Sequence, residues 1–396
     1  MNSRMIGRRS FLASGAVLGA AALATGCAPA TRARRTSATA GGLPLTVVNR
    51  TGRYASGSIF MYIVGVDPAT GTQGHVTADG RFVPCASSDN GSGGNTDYAI
   101  PLQGSGDTTV ALPKMSGRVY FSLGDRLRLK VVADGNGKPA LQYPAGWVKT
   151  DPNYGILHDW IEFTYNDAGM FCNTTMVDMF SVPLAIRLAG ARTQTTGTLV
   201  DGGRDQIFAA VAKQPEFARL VVGDRMRVIA PGHGIEAGLF PADYYDAYID
   251  AVWSRYGGTP LTVRTDAGTF TGKVAGDRLS FTGGSRTPAS IARPSTRDVL
   301  FCDGALAAPN DGVTGPVAAI LGAAFNRSTL LSDASQPVTD AARFYRASAI
   351  NHYAQAMHAA SRDGAAYGFA FDDVAGHASY IQDNEPTSAT VTLTPF

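Results

Sequence analysis

Residues 160–166, Trp160-Ile161-Glu162-Phe163-Thr164-Tyr165-Asn166, hold the first side chains able to do chemistry together. Read with the two-residue period of an extended strand, Ile161, Phe163 and Tyr165 share one face, and Trp160, Glu162, Thr164 and Asn166 the other. The first is a core face. The second sets an aromatic plate, a carboxylate, a hydroxyl and an amide side by side, which suits a ligand with an apolar ring face and many hydroxyls, a sugar. A lone polar strand face is ordinarily a solvated one. What sets this one apart is the segment that follows. Within residues 174–184, Asp178 stands among Met176, Val177, Met179, Phe180 and Val182, where an ionised acid is costly unless it is paired or opens onto a cleft. Asp167-Ala168-Gly169 is a turn signal, so the two segments read as neighbouring strands aiming a Glu and an Asp into one groove. Hydrolysis of a glycosidic bond needs such a pair, one carboxyl giving a proton and the other acting as base or nucleophile. Carboxylates on adjacent strands are also common without that role.

A scaffold of strands must position this pair. Residues 43–49 and 58–65 read as strands, residues 90–95 as a loop, and residues 118–123 and 127–132 as a hairpin around Gly124-Asp125. Closely spaced strands with Gly-rich turns suggest a sandwich or barrel. After about residue 195 the pattern changes. Apolar residues recur at helical spacing in 206–220, in 242–256 after Pro241, and in the Ala-rich 316–325. The clearest stripe is Phe344, Ala347, Ile350, Ala354 and Met357 in 341–360, with strand-like pieces at 261–265 and 299–302 between the helices. Residues 390–394 alternate again. The expected fold is therefore mainly β with an α/β second domain: a β domain over 43–195, an α/β domain over 196–360, and a segment 361–396 that returns to the β domain.

Hydrophobic residues make up 44% of the 396 and charged residues only 17%, with 46 Gly, a balance that suits a β-rich exported protein. The formal charge of +2 is misleading. Residues 1–35 contain six Arg and no acid, and the rest carries 28 basic against 32 acidic residues. That balance gives no electrostatic case for nucleic acid or an anionic membrane. Arg8-Arg9 before the apolar run 11–24 reads as a twin-arginine export signal in residues 1–30, followed by a flexible tether over 31–42. Cys27 sits in an imperfect lipobox, the alternative being cleavage after Ala30. Membrane contact is expected only through a lipid at Cys27, and the working protein is expected to be a monomer. Cys85, Cys172 and Cys302 allow at most one disulfide. The six scattered His show no metal-ligand spacing. GxSxG, HExxH and P-loop motifs are absent. Gly232-His233-Gly234 reads as a loop, His352 and His358 as solvated, and Trp147 and Tyr143 as sugar-stacking or core.

Asp159-Trp160-x-Glu162-Phe163-Thr164-Tyr165, followed sixteen residues after the Glu by Asp178 in Val177-Asp178-Met179-Phe180-Ser181-Val182-Pro183-Leu184, resembles glycoside hydrolase family 64, the laminaripentaose-producing β-1,3-glucanases. Asp151-Pro152-Asn153-Tyr154 and residues 367–374 extend the resemblance over nearly everything from residue 43. The Glu-Phe-Thr and Val-Asp-x-Phe-x-Val-Pro-Leu pieces are also similar to thaumatin-like proteins. The resemblance implies a thaumatin-like β-sandwich or barrel beside an α/β domain, with a wide cleft for β-1,3-glucan. It implies inverting hydrolysis with Glu162 as acid and Asp178 as base, without cofactor or metal. It places glucan contacts at Thr164, Asn166 and Thr175, and puts Phe171 where the family is expected to have Trp. Trp160, Asp372 and Asp373 complete the candidate binding residues, although Asp372 and Asp373 could equally cap a turn. Alternation sets Thr175 on the opposite face from Asp178, so its role requires a bend between them. The rival reading is a non-catalytic, thaumatin-like glucan-binding protein.

Overall fold

The alternation of Leu43, Leu45 and Val47 with more exposed neighbours makes Leu43–Asn49 the first strand, β1, of the computed structural model, which describes residues 42–396. The segments expected to be an export signal and, up to residue 41, a tether, with Cys27, lie outside the described residues. The other strands of the sandwich are β2 (Ile59–Val66), β3 (Thr108–Leu112), β4 (Met115–Leu123), β5 (Leu157–Asn166), β6 (Gly169–Thr174), β7 (Leu184–Ala189), β8 (Thr193–Thr196), β9 (Tyr380–Asp383) and β10 (Ser388–Leu393). One sheet runs β8-β7-β10-β1-β3. The other has eight strands. It runs β9-β6-β5-β4-β2 and continues through Gln73–Val76 and Phe82–Pro84, with Ile100–Pro101 beside β2. Between the sheets, alternate residues such as Val47, Met61, Phe121, Ile161, Phe163, Cys172, Ile186 and Val391 form one apolar core.

The outer face of the eight-stranded sheet is covered at one end by a second apolar cluster. There Tyr62, Tyr120 and Trp160 meet Leu127, Leu129, Leu141 and Ile156 from the crossing that joins β4 to β5. Residues 118–123 and 127–132 do not pair as a hairpin. β4 is claimed on both edges by β2 and β5, and Lys130–Ala133 pairs with Pro139–Gln142 instead.

The third core spans residues 176–366. It packs α1 (Gly203–Ala212), α2 (Pro231–Glu236), α3 (Asp246–Gly258), α4 (Thr296–Phe301), α5 (Thr314–Asn326) and α6 (His352–Ala360) with a sheet centred on Leu261–Thr265, Gly268–Ala275 and Arg278–Thr282. Residues 299–302 are not a strand. Ser295 and Asp298 form a capping box that starts α4. The long stripe 341–360 shrinks to the nine residues of α6, because Tyr345 turns at φ +58° and Asn351 caps the helix by accepting the Ala354 N–H. No disulfide forms among the described residues, within the limit of at most one. Cys85, Cys172 and Cys302 are buried as free thiols in separate clusters. No helix in the described residues is long and apolar enough to cross a membrane.

Residues 174–184 are not one strand beside β5. The chain leaves β6 at Thr174, bends at Val177-Asp178 and pairs Met179–Phe180 with Arg227–Ile229 of the α/β part. It then enters β7 in the opposite sheet. Apolar residues at both parities in this stretch come from that change of partner, as each short piece buries its side chains in a different core.

Candidate active site

The inward alternation of Ile161 and Phe163 leaves Trp160, Glu162, Thr164 and Asn166 on the outer face of β5, as the sequence pattern requires. Pairing then fixes their neighbours. Glu162 lies between Arg118 of β4 and Asn173 of β6, and Asn173 lies opposite Tyr380 of β9. The next row is Ser116, Thr164, Phe171 and Gln382. Directly opposite residues in an antiparallel pair share a face with Cβ atoms about 5 Å apart, so each row is a line of side chains in contact range.

Arg118 grips Glu162 from one flank. Its Nε and Nη2 donate to Oε1 at 3.0 and 2.9 Å, and Nη1 donates to the Tyr120 hydroxyl at 3.0 Å. Burial opposes the guanidinium charge, but Tyr120, Glu162 and Asp178 outweigh it and hold the Arg118 pKa above its usual range. On the other flank Asn173 is 1% exposed, and both of its amide atoms lack a protein partner. An orphaned buried amide beside a carboxylate calls for an explanation; an ordered water or a ligand hydroxyl would satisfy it.

Asp178 stands on the bend. His233 Nε2 lies 2.8 Å from its Oδ1, and the Asp178 carbonyl accepts the Ala230 N–H, so the bend is tied to the start of α2. His233 Nδ1 lies 3.2 Å from Glu236 Oε2, and Arg297 donates to Oε1 of Glu236 at 3.2 Å. Burial pulls the His233 pKa down, but the hydrogen bonds and charges of Asp178 and Glu236 prevail and raise it. Trp147 stacks on the imidazole with centroids 4.5 Å apart. A recess lined by Val177, His233, Phe301, Asn351 and Gly368 opens beside the bend.

The remaining candidates divide. Thr164 bonds the Ser116 hydroxyl at 2.8 Å, and Asn166 accepts the Ala168 N–H at 2.8 Å. Phe171 lies opposite Thr164 and is 7% exposed. The bend that Thr175 needed is present, but Thr175 is nearly buried and its hydroxyl accepts the Val177 N–H at 3.4 Å. Trp160 is 1% exposed and packs on Tyr120, so its ring supports the sheet and offers no open plate to a sugar. Asp372 is wholly buried, bound to Arg327, His358 and the Gly368 N–H, and so anchors its loop from within. Asp373 beside it is exposed. His358 is accordingly a structural partner of Asp372. Sequence reasoning missed Arg118, Asn173 and His233. Gly232-His233-Gly234 is helical, and Pro231 at the first helical position was its available signal.

The family model described as beta-1,3-glucanase, of glycoside hydrolase family 64, matches residues 41–393. The chain belongs to that family. It is an endo-β-1,3-glucanase, and the alternative of a non-catalytic binding protein gives way. Curated relatives described as glucan endo-1,3-beta-glucosidase, from Arthrobacter sp. (strain YCWD3) and Cellulosimicrobium cellulans, are each 36% identical over 97% of this chain and 68% of their own length. A laminaripentaose-producing β-1,3-glucanase solved in complex with laminaritetraose superposes with a TM-score of 0.82 at 39% identity. The match covers 90% of this glucanase and 99% of that chain. The β-1,3-glucanase domain from Clostridium beijerinckii follows at 0.79 and 31%, with the same coverage.

Proposed function

We propose that this glucanase cuts β-1,3-glucan by single displacement and releases short, laminaripentaose-like oligosaccharides. Glu162 protonates the leaving oxygen and Asp178 draws a proton from the attacking water. The observation that carries this reading is the separate seating of the two carboxylates. Glu162 is fixed on a sheet face by Arg118, and Asp178 is fixed on a bend by His233, so the pair belongs to two elements that can flank a sugar ring. Thr164, Asn166, Phe171, Thr175 and Asp373 are the glucan-contact candidates, and the Asn173 amide joins them. No cofactor enters, because carboxyls alone perform this chemistry.

Single displacement needs room for a water, with carboxyl groups roughly 6.5–9.5 Å apart, and inverts the anomeric centre. Freshly cut ends should therefore appear as α-anomers in early proton NMR of a laminarin digest. A β-anomer would overturn the mechanism and recast Asp178 as a nucleophile. Glu162→Gln and Asp178→Asn should each lower kcat by about 10²–10⁴ while glucan binding survives, and near-normal rates in both would sink the assignment. We also propose that the enzyme works as an exported monomer, with membrane contact only through a lipid at Cys27. Replacing Arg8-Arg9 by Lys-Lys should then hold it in the cytoplasm, and unchanged export would refute the twin-arginine reading.

A further inference from the structure

One imidazole lies between two carboxylates beside the bend. His233 offers Nε2 to Asp178 at 2.8 Å and Nδ1 to Glu236 at 3.2 Å. An ionised carboxylate only accepts hydrogen bonds, and a neutral imidazole has one N–H. Both contacts are satisfied together only when the ring carries two protons. The ring is also immobilised: Trp147 stacks on it at 4.5 Å and Phe301 meets it edge-on at 5.1 Å. The charged groups around it come from every packed element. Asp178 faces it from the bend and Glu236 from its own helix. Arg297 of α4 stands behind Glu236, and Arg118 of β4 lies within the field of Asp178.

We propose that His233 is a positioning residue for hydrolysis: as an imidazolium it fixes the rotation of the Asp178 carboxylate and keeps it ionised to receive the proton of water. The inference rests on the role given to Asp178 above. A general base must be ionised, and correctly aimed, when water attacks. The Arg118 guanidinium holds its charge at any working pH, so His233 is the titrating member of the cationic set. Glu236, half-exposed and anchored by Arg297, keeps the second proton on the ring.

The test has two arms. In ¹⁵N-labelled wild-type enzyme at pH 6, the His233 ring should show the two-proton signature, and Asp178→Asn should return it toward the neutral form. That readout does not depend on turnover. On laminarin, His233→Gln should raise the acidic limb of the kcat/KM–pH profile by about one unit and lower kcat by about tenfold, with KM within about threefold. Glu236→Gln leaves His233 in place and should move the same limb in the same direction by less, which covers the case of a His233 variant that does not fold. A neutral ring in the wild type, or an acidic limb unmoved in both variants, would overturn the proposal. Normal turnover in Asp178→Asn would remove the base assignment and the role of His233 with it, while the ring signals would still decide the pairing.

Discussion

Arg118 shows how much of the site depends on one fork of N–H groups. Two of its nitrogens converge on a single oxygen of Glu162 and a third holds Tyr120, while the guanidinium lies 4.9 Å over the Trp160 ring. A point charge cannot reproduce that geometry. We expect kcat/KM on laminarin to fall in the order wild type, Arg118→Lys, Arg118→Met, the last by about 10² or more, the range for losing an oriented donor at a reacting group. Equal rates for the Lys variant and the wild type would show that charge alone suffices. The Glu162 side of this contact was legible in the alternation of residues 160–166. The Arg118 side was not. It depends on the register of two strands more than forty residues apart, and nothing local to residues 118–123 sets that register.

Asp159 joins the element that carries Glu162 to the one that carries Asp178. Its Oδ1 accepts the Trp160 N–H at 3.0 Å, and its Oδ2 accepts the N–H groups of Ser181 and Val182 at 2.8 and 3.1 Å, just after the bend. Burial pushes this carboxyl up to about 7, against the three backbone donors and Arg227, which pull it down. In Asp159→Asn an NH₂ would face at least one backbone N–H. The expected cost is about 1–3 kcal/mol of stability, read by urea unfolding, together with a loss of kcat as the bend shifts relative to β5. Stability and rate both unchanged would show that the tie is dispensable. Other elements differ in how plainly the sequence announces them. Leu43–Asn49 and Leu261–Thr265 were readable because each buries one face in one core. The stripe in 341–360 misled because Phe344, Ile350 and Met357 reach the interior from a turn, a loop and a short helix, which by accident share helical spacing.

His158 gives the whole molecule a predictable response to acid. It is fully buried, its Nδ1–H donates to the Ile156 carbonyl at 2.8 Å, and its Nε2 has no protein partner. Burial and the nearby Arg227 guanidinium hold its pKa down to about 3. The unfolded chain takes up this proton near pH 6.5 and the folded chain refuses it. Its contribution is therefore complete above pH 6.5 and is lost as pH falls toward 3, at up to about 1.4 kcal/mol per unit. Unfolding free energies at pH 7, 5 and 4 should fall more gently in His158→Gln, although that variant starts lower. Parallel slopes would refute the assignment.

β10 occupies the middle of the five-stranded sheet, parallel to β1 and antiparallel to β7, so residues 45–49 find their partners at 389–393. For a chain made from its N-terminus on a ribosome, this is a clasp that closes last. Until residue 393 has cleared the exit tunnel, β1 and β7 have an empty lane between them, and the sandwich core lacks Ala389, Val391 and Leu393. Contacts this distant in sequence also make for slow closure. Nascent chains stalled before residue 388 should thus leave the sandwich open to a protease, and chains extended after Phe396 by a linker long enough to bring residue 393 out of the tunnel should resist. Synthesis of this enzyme would then close the sandwich late, after every residue of the α/β core, 176–366, has been made.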